Sequence, residues 1–132
     1  MSKVLAFQSK ARESLFKGVK LLADSVTTTL GPKGRNVAIQ RQWGLPIVVH
    51  DGVTVAREVE SKDPLVAIGV NLVREAAQKT NEEAGDGTTT ATLLAYELVR
   101  KGLLLIEEGV NPMTLRNQIY SALPSILEEL KK

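Results

Sequence analysis

The stretch that decides the fold opens Asp63-Pro64-Leu65-Val66-Ala67-Ile68-Gly69-Val70 and closes Ala84-Gly85-Asp86-Gly87-Thr88-Thr89-Thr90. Aspartate before proline is a helix start: the carboxylate accepts a free first-turn amide, and the fixed φ of proline suits the first helical position. Apolar residues then recur at three- and four-residue steps in two stripes, Leu65, Ile68, Leu72, Ala76 and Val66, Val70, Val73, Ala77. That spacing predicts a helix over 64–84, and two stripes predict that it is central and covered on two sides. Gly85-Asp86-Gly87 breaks it. A further helix is expected from Thr88 or Thr89 to Glu108, with Ala91, Leu94, Ala95, Leu98, Leu105 and Ile106 as its face and Gly109 as its stop.

Outward from this stretch the pattern stays helical. Ala11, Leu15, Val19, Leu22, Val26 and Leu30 lie along one helical face, which Gly31-Pro32 terminates. Short apolar runs at 36–40 and 47–49 flank Trp43-Gly44-Leu45-Pro46 and read as a β-hairpin. Two strands alone are marginal in water, so the hairpin calls for a partner. Asp51-Gly52 opens a short helix through Glu60. Asn111-Pro112 repeats the cap-then-proline device and begins a last helix carrying Leu115, Ile119, Ala122, Ile126 and Leu130. Pro124 falls inside that helix and is expected to bend it or end it early. The fold class is mainly α, a bundle of long helices with one projecting β-hairpin.

Composition removes many functions. The 132 residues are 43% hydrophobic and 24% charged, which suits one globular domain or part of one. There is no cysteine, so disulfide frameworks, zinc knuckles and thiol nucleophiles are excluded. The one histidine, His50, leaves metal binding to carboxylates and backbone oxygens. A net charge of +2 and 4% aromatics argue against a nucleic-acid partner. The apolar run at the N-terminus is too short for a signal peptide, and no stretch approaches the ~18 apolar residues of a membrane span. The expectation is a cytoplasmic protein with no membrane partner.

Two glycine-bearing segments carry the chemistry, residues 29–36 (Thr29-Leu30-Gly31-Pro32-Lys33-Gly34-Arg35-Asn36) and 85–90. In the second, glycines on either side of Asp86 permit a tight turn and close approach to a ligand. Threonine hydroxyls and free amides at a helix start then form an anion site suited to phosphate. Asp86 beside it suits Mg²⁺, a hard cation that takes carboxylate and phosphate oxygens. The same residues also fit an ordinary capped turn with Asp86 as the N-cap, and the 31–34 turn fits a helix stop before a strand. Neither segment has the P-loop pattern.

Residues 29–37, 50–56 (His50-Asp51-Gly52-Val53-Thr54-Val55-Ala56), 85–92 and 109–113 together resemble the N-terminal part of the GroEL-type chaperonins, the bacterial group I family. Arg35-Asn36-Val37 is similar to group I rather than to group II, which shares the Gly-Asp-Gly-Thr-Thr-Thr core. The resemblance spans essentially all 132 residues and implies the first segment of a discontinuous, ATP-binding, ring-forming equatorial domain. It implies that Thr29, Leu30, Gly31 and Pro32 line a nucleotide site and that Asp86 ligates Mg²⁺. It further implies that Gly87, Thr88, Thr89 and Thr90 cradle the phosphates and that Asp51 lies near the γ-phosphate. The backbone carbonyls of Thr29 and His50 match positions that hold K⁺. His50 departs from the lysine many members carry, and Pro124 is a second departure.

The resemblance also implies partners. The hairpin at 36–49 would pair with the terminal strands of an identical neighbouring subunit in a ring, Val4, Leu5, Ala6 and Phe7 supplying the N-terminal strand. Unfolded polypeptides and a GroES-type co-chaperonin would bind an apical domain that, with the intermediate domain, lies outside these residues. The main hydrolytic aspartate lies outside them too, so the segment alone is expected to be inactive, with apolar faces left open where the second equatorial segment packs. A standalone nucleotide- or phosphate-binding module and a structural oligomerisation module are the alternative readings.

Overall fold

A computed structural model describes residues 5–41 and 43–132; Val4, expected in a terminal strand, lies outside them. The elements in chain order are α1 (Gln8–Thr27), β1 (Val37–Ile39), β2 (Ile47–Val49), α2 (Gly52–Glu58), α3 (Pro64–Ala84), α4 (Thr88–Glu107) and α5 (Pro112–Leu130). The mainly α class with a single hairpin is as expected. Leu5, Ala6 and Phe7 are in no strand.

Local chemistry sets most boundaries. Asp63 caps α3 through the Leu65 amide at 2.9 Å, and Gly85, at φ 75°, closes it in the left-handed region. Helix α1 stops short of Gly31-Pro32, because three successive threonines take its last carbonyls. Thr27 Oγ1 donates to the Ala23 carbonyl at 2.6 Å, Thr28 Oγ1 to Ser25 at 2.7 Å and Thr29 Oγ1 to Val26 at 2.7 Å. Leu30 is consequently outside the helix and exposed. Helix α2 ends at Glu58 rather than Glu60. Arg74 of α3 closes that end, its Nε donating to the Ala56 carbonyl at 2.8 Å and its terminal nitrogen to the Val59 carbonyl. Helix α5 runs through Pro124 to Leu130 and does not end early.

The chain falls into two units, one running to Val99 and one from Arg100 to Lys132. In the first, α1 crosses α3 with backbones in close contact at Gly18 and Gly69. A Cβ on Gly18 would lie 2.0 Å from the Val66 carbonyl oxygen, and one on Gly69 would lie 2.1 Å from that of Leu15. Around this crossing sits the core of Val19, Leu22, Val26, Val55, Ala56, Val70 and Val73, with Val37 and Val49 at the hairpin base packed against it. Each fully buried aliphatic side chain contributes about 1.5–3 kcal/mol. The strands pair antiparallel as Val37 with Val49, Ala38 with Val48 and Ile39 with Ile47.

Two face assignments change. Among the described residues α3 is covered on one side: Val70, Val73 and Ala77 are buried, whereas Ile68 and Leu72 are exposed. Helix α4 turns Thr88 and Thr92 inward, with Ala95 and Tyr96 against the core, and leaves Leu94 and Leu98 outside. Thr92 can be buried because its hydroxyl donates to the Thr88 carbonyl within the same helix, at 2.8 Å.

In the second unit α4 ends in a Schellman turn. The Val110 amide donates to the Leu105 carbonyl at 2.9 Å and the Gly109 amide to Ile106 at 3.1 Å, with Gly109 at φ 99°. Asn111 Oδ1 then caps α5 by accepting from Met113 and Thr114. A Cβ on Gly102 would lie 3.5 Å from Leu115 Cδ2, so the two helices touch there. No residue of α5 is buried.

Candidate functional site

The candidate site is built where three chain segments meet: the turn after α1, the start of α2 and the start of α4. Gly52, first residue of α2, reports their separation. A Cβ at that position would lie 2.2 Å from Thr89 Oγ1, 3.3 Å from Val26 Cγ1 and 3.5 Å from Thr29 Oγ1. Residues separated by tens of positions thus place two hydroxyls against one glycine, and any larger side chain there would displace Thr89. The sequence reading treats Gly52 only as a helix start. Its signal is the glycine itself, an unfavourable choice inside a helix unless something approaches closely.

Asp51 is the N-cap of α2, its Oδ1 accepting from the Thr54 amide at 2.7 Å. That backbone hydrogen bond holds its carboxyl below the usual carboxylate range, outweighing the opposing effect of burial. His50, just before it, is exposed. After α1 the chain folds back on itself, with the Gly34 amide donating to the Gly31 carbonyl at 2.9 Å and the Arg35 amide to the Thr28 carbonyl at 2.7 Å. Gly31 takes φ 73°, and a Cβ on Gly34 would lie 2.4 Å from the Thr29 carbonyl oxygen. Leu30, Gly31 and Pro32 are exposed, whereas Thr29 is half-buried.

At the start of α4, Asp86 is exposed and accepts from the Gly87 amide at 2.6 Å, which fixes the carboxylate over the loop. Gly87 takes φ 93°. Thr88 is 3% exposed, and its hydroxyl oxygen is buried without a hydrogen-bond partner. Thr89 is half-buried and Thr90 exposed. An unpaired buried hydroxyl costs roughly 1–3 kcal/mol, which makes Thr88 a position that calls for a functional explanation. Thr88 also lines a cleft with Val53, Ala56, Arg57, Gln78, Asn81 and Glu82.

The donor set is hydroxyls, backbone amides and carboxylate oxygens, which fits a phosphate with a hard cation. Among the described residues no group of three or more His, Asp or Glu side chains could hold a metal alone. A cation beside Asp86 would therefore need oxygens from its anionic ligand. The structure brings Thr29, Gly52 and Thr89 together, with Asp51 adjoining Gly52. It shows no contact that ties Leu30, Gly31, Pro32 or Thr90 to that point. Among the described residues no helix is long and apolar enough to cross a membrane.

Comparison with known proteins agrees with the chaperonin resemblance at the level of the family, and the solved structure it finds is of another group. One similar solved structure is described as a group III chaperonin in the open state: 33% sequence identity, a TM-score of 0.77, and a match covering 88% of this chain and 23% of that one. The chain thus spans about a quarter of the length of that relative. The TCP-1/cpn60 chaperonin family matches residues 22–132. Hairpin, helix order, glycine turns and family match agree over most of the sequence, and the chain belongs to the TCP-1/cpn60 chaperonin family.

Proposed function

We propose that residues 1–132 are the first segment of the equatorial domain of a group I chaperonin subunit, a cytoplasmic ATP-driven protein-folding machine, and that the candidate site binds Mg-ATP through its phosphates. The observation that carries this reading is the meeting of Thr29, Gly52 and Thr89; the buried, unpartnered hydroxyl of Thr88, the residue before Thr89, adds to it. Glycine at 52 lets two hydroxyls pack against its backbone, and the α4 N-terminus offers free amides and the positive end of its dipole. The group I assignment rests on Arg35-Asn36-Val37.

Each residue then has a task. Thr88, Thr89 and Thr90 donate hydrogen bonds to phosphate oxygens, Gly87 at φ 93° lets the backbone come close to them, and Thr29 to Pro32 form the facing wall. Asp86, fixed by the Gly87 amide, holds Mg²⁺. The Thr29 and His50 carbonyls hold K⁺. Asp51 stays ionised, because the Thr54 amide favours the carboxylate, and it faces the terminal phosphate. Bound cations supply charge neutralisation at the phosphates. Hydrolysis needs a further aspartate beyond these residues, so the segment binds without useful turnover. The hairpin at 36–49 joins identical subunits into a ring. Unfolded polypeptide and a GroES-type lid act at a separate apical domain.

Asp86→Ala in the complete subunit tests the site. Mg²⁺-dependent ATP affinity by calorimetry should fall, and turnover should drop by about two orders of magnitude or more, since phosphate charge loses its compensation. Unchanged affinity and turnover would sink the assignment.

A further inference from the structure

The hairpin is short, and a hairpin of this size does not hold its direction by strand pairing alone. Its strands alternate, with Val37, Ile39, Ile47 and Val49 half-buried and Ala38 and Val48 exposed. Val37 and Val49 rest on the core, which fixes the base. At the other end Trp43 and Leu45 are 86% and 85% exposed, so these two apolar side chains do not hold the turn. Among the described residues a side-chain contact spans the distance from hairpin to α2. Arg41, just beyond β1, meets the last residue of α2 with both arms of its guanidinium: Nη2 donates to Glu58 Oε1 at 2.7 Å and Nε to Oε2 at 3.3 Å. The forked geometry sets an angle as well as a distance. Helix α2 is itself immobilised, by Gly52 wedged among Val26, Thr29 and Thr89 and by Arg74 at its far end.

We propose that Arg41 and Glu58 are positioning residues that clamp the distal half of the hairpin to α2. The clamp keeps the two outer strand edges, unpaired within the sheet of described residues, at a set angle for the addition of another extended strand. The role of those edges rests on the ring-contact reading given above; the clamp itself does not. A strand edge presented at a fixed angle lowers the ordering cost of strand addition. A pair this exposed is screened by salt, so the clamp loosens as ionic strength rises.

The test uses hydrogen–deuterium exchange of hairpin amides in the full chain for Glu58→Gln, Arg41→Gln and the charge swap Arg41→Glu with Glu58→Arg, alongside the oligomer mass of the complete subunit. Each single variant should speed exchange at 37–39 and 47–49 about two- to fivefold. The swap should restore most of the protection, and α3 amides should not change. Unaltered hairpin exchange in the single variants, or no recovery in the swap, would overturn the clamp whatever the oligomer does. Faster exchange with an unchanged oligomer would support the clamp and remove the ring-contact reading of the hairpin. Faster exchange with weaker assembly supports both.

Discussion

Helices α1 and α5, of 20 and 19 residues, carry apolar side chains at the same three- and four-residue steps. Yet α1 buries Gly18, Val19, Leu22, Ala23 and Val26, while α5 buries nothing. The periodicity that marks a face is present in both. What separates them is a partner: α1 lies against α3 with glycine meeting glycine, and α5 touches its neighbour at Leu115 with Ile119, Ile126 and Leu130 left exposed. An amphipathic pattern states which side of a helix needs cover. It does not state that the cover lies within the same stretch of chain.

Three substitutions sharpen or break this contrast. The largest effect is expected for Leu22→Ala, which opens a cavity at a fully buried position and should cost about 2–5 kcal/mol in denaturant unfolding. A loss well under 1 kcal/mol would mean that the α1 core is loosely packed and the contrast false. Next is Asp51→Ala, which removes the α2 cap and should cost about 1 kcal/mol. That contribution depends on pH in a definite sense. The native carboxyl is held below its ordinary value, so the cap is fully effective above the usual carboxylate range and is lost as pH falls through the lowered native value. Stability of the Asp51→Ala chain should lack that component of the acid transition, and an identical pH profile would remove the cap from the account. The smallest effect is expected for Ile126→Ala, within about 0.5 kcal/mol of the parent, as for other exposed positions. A loss near that of Leu22→Ala would show that the α5 face is covered in solution and that the two helices are alike after all.

What was readable from sequence was local. Asp63-Pro64, Gly85, Gly109 and Asn111-Pro112 act through neighbours a few residues away, and their helices begin and end where those residues say. The end of α1 escaped because a Gly-Pro pair is a louder signal than three threonine hydroxyls that cap from inside. The inward side of α4 escaped because Thr92 hides its polarity against its own backbone. Contacts between distant positions left faint traces. Gly18 and Gly69 each sit inside a helix, where glycine costs about 1 kcal/mol relative to alanine. That cost is the only hint of the close crossing. Nothing in the sequence near Arg74 or Arg41 announces their carbonyl and carboxylate partners. For the candidate site, the threonines and aspartates were named from their motifs, but the convergence on Gly52 belongs to the fold.

Arg74 makes one short helix depend on another. Helix α2 has seven residues, well below the ~12–15 at which an isolated helix persists in water. Its N-terminal end carries its own cap in Asp51, but its C-terminal carbonyls are closed by a side chain from α3. That closure exists only where α3 lies against it. The glycine that draws Thr29 and Thr89 together rides on this dependent helix. A weakness in α3, far along the chain from Asp51 and Gly52, is therefore felt at the chemistry-bearing junction through one arginine side chain.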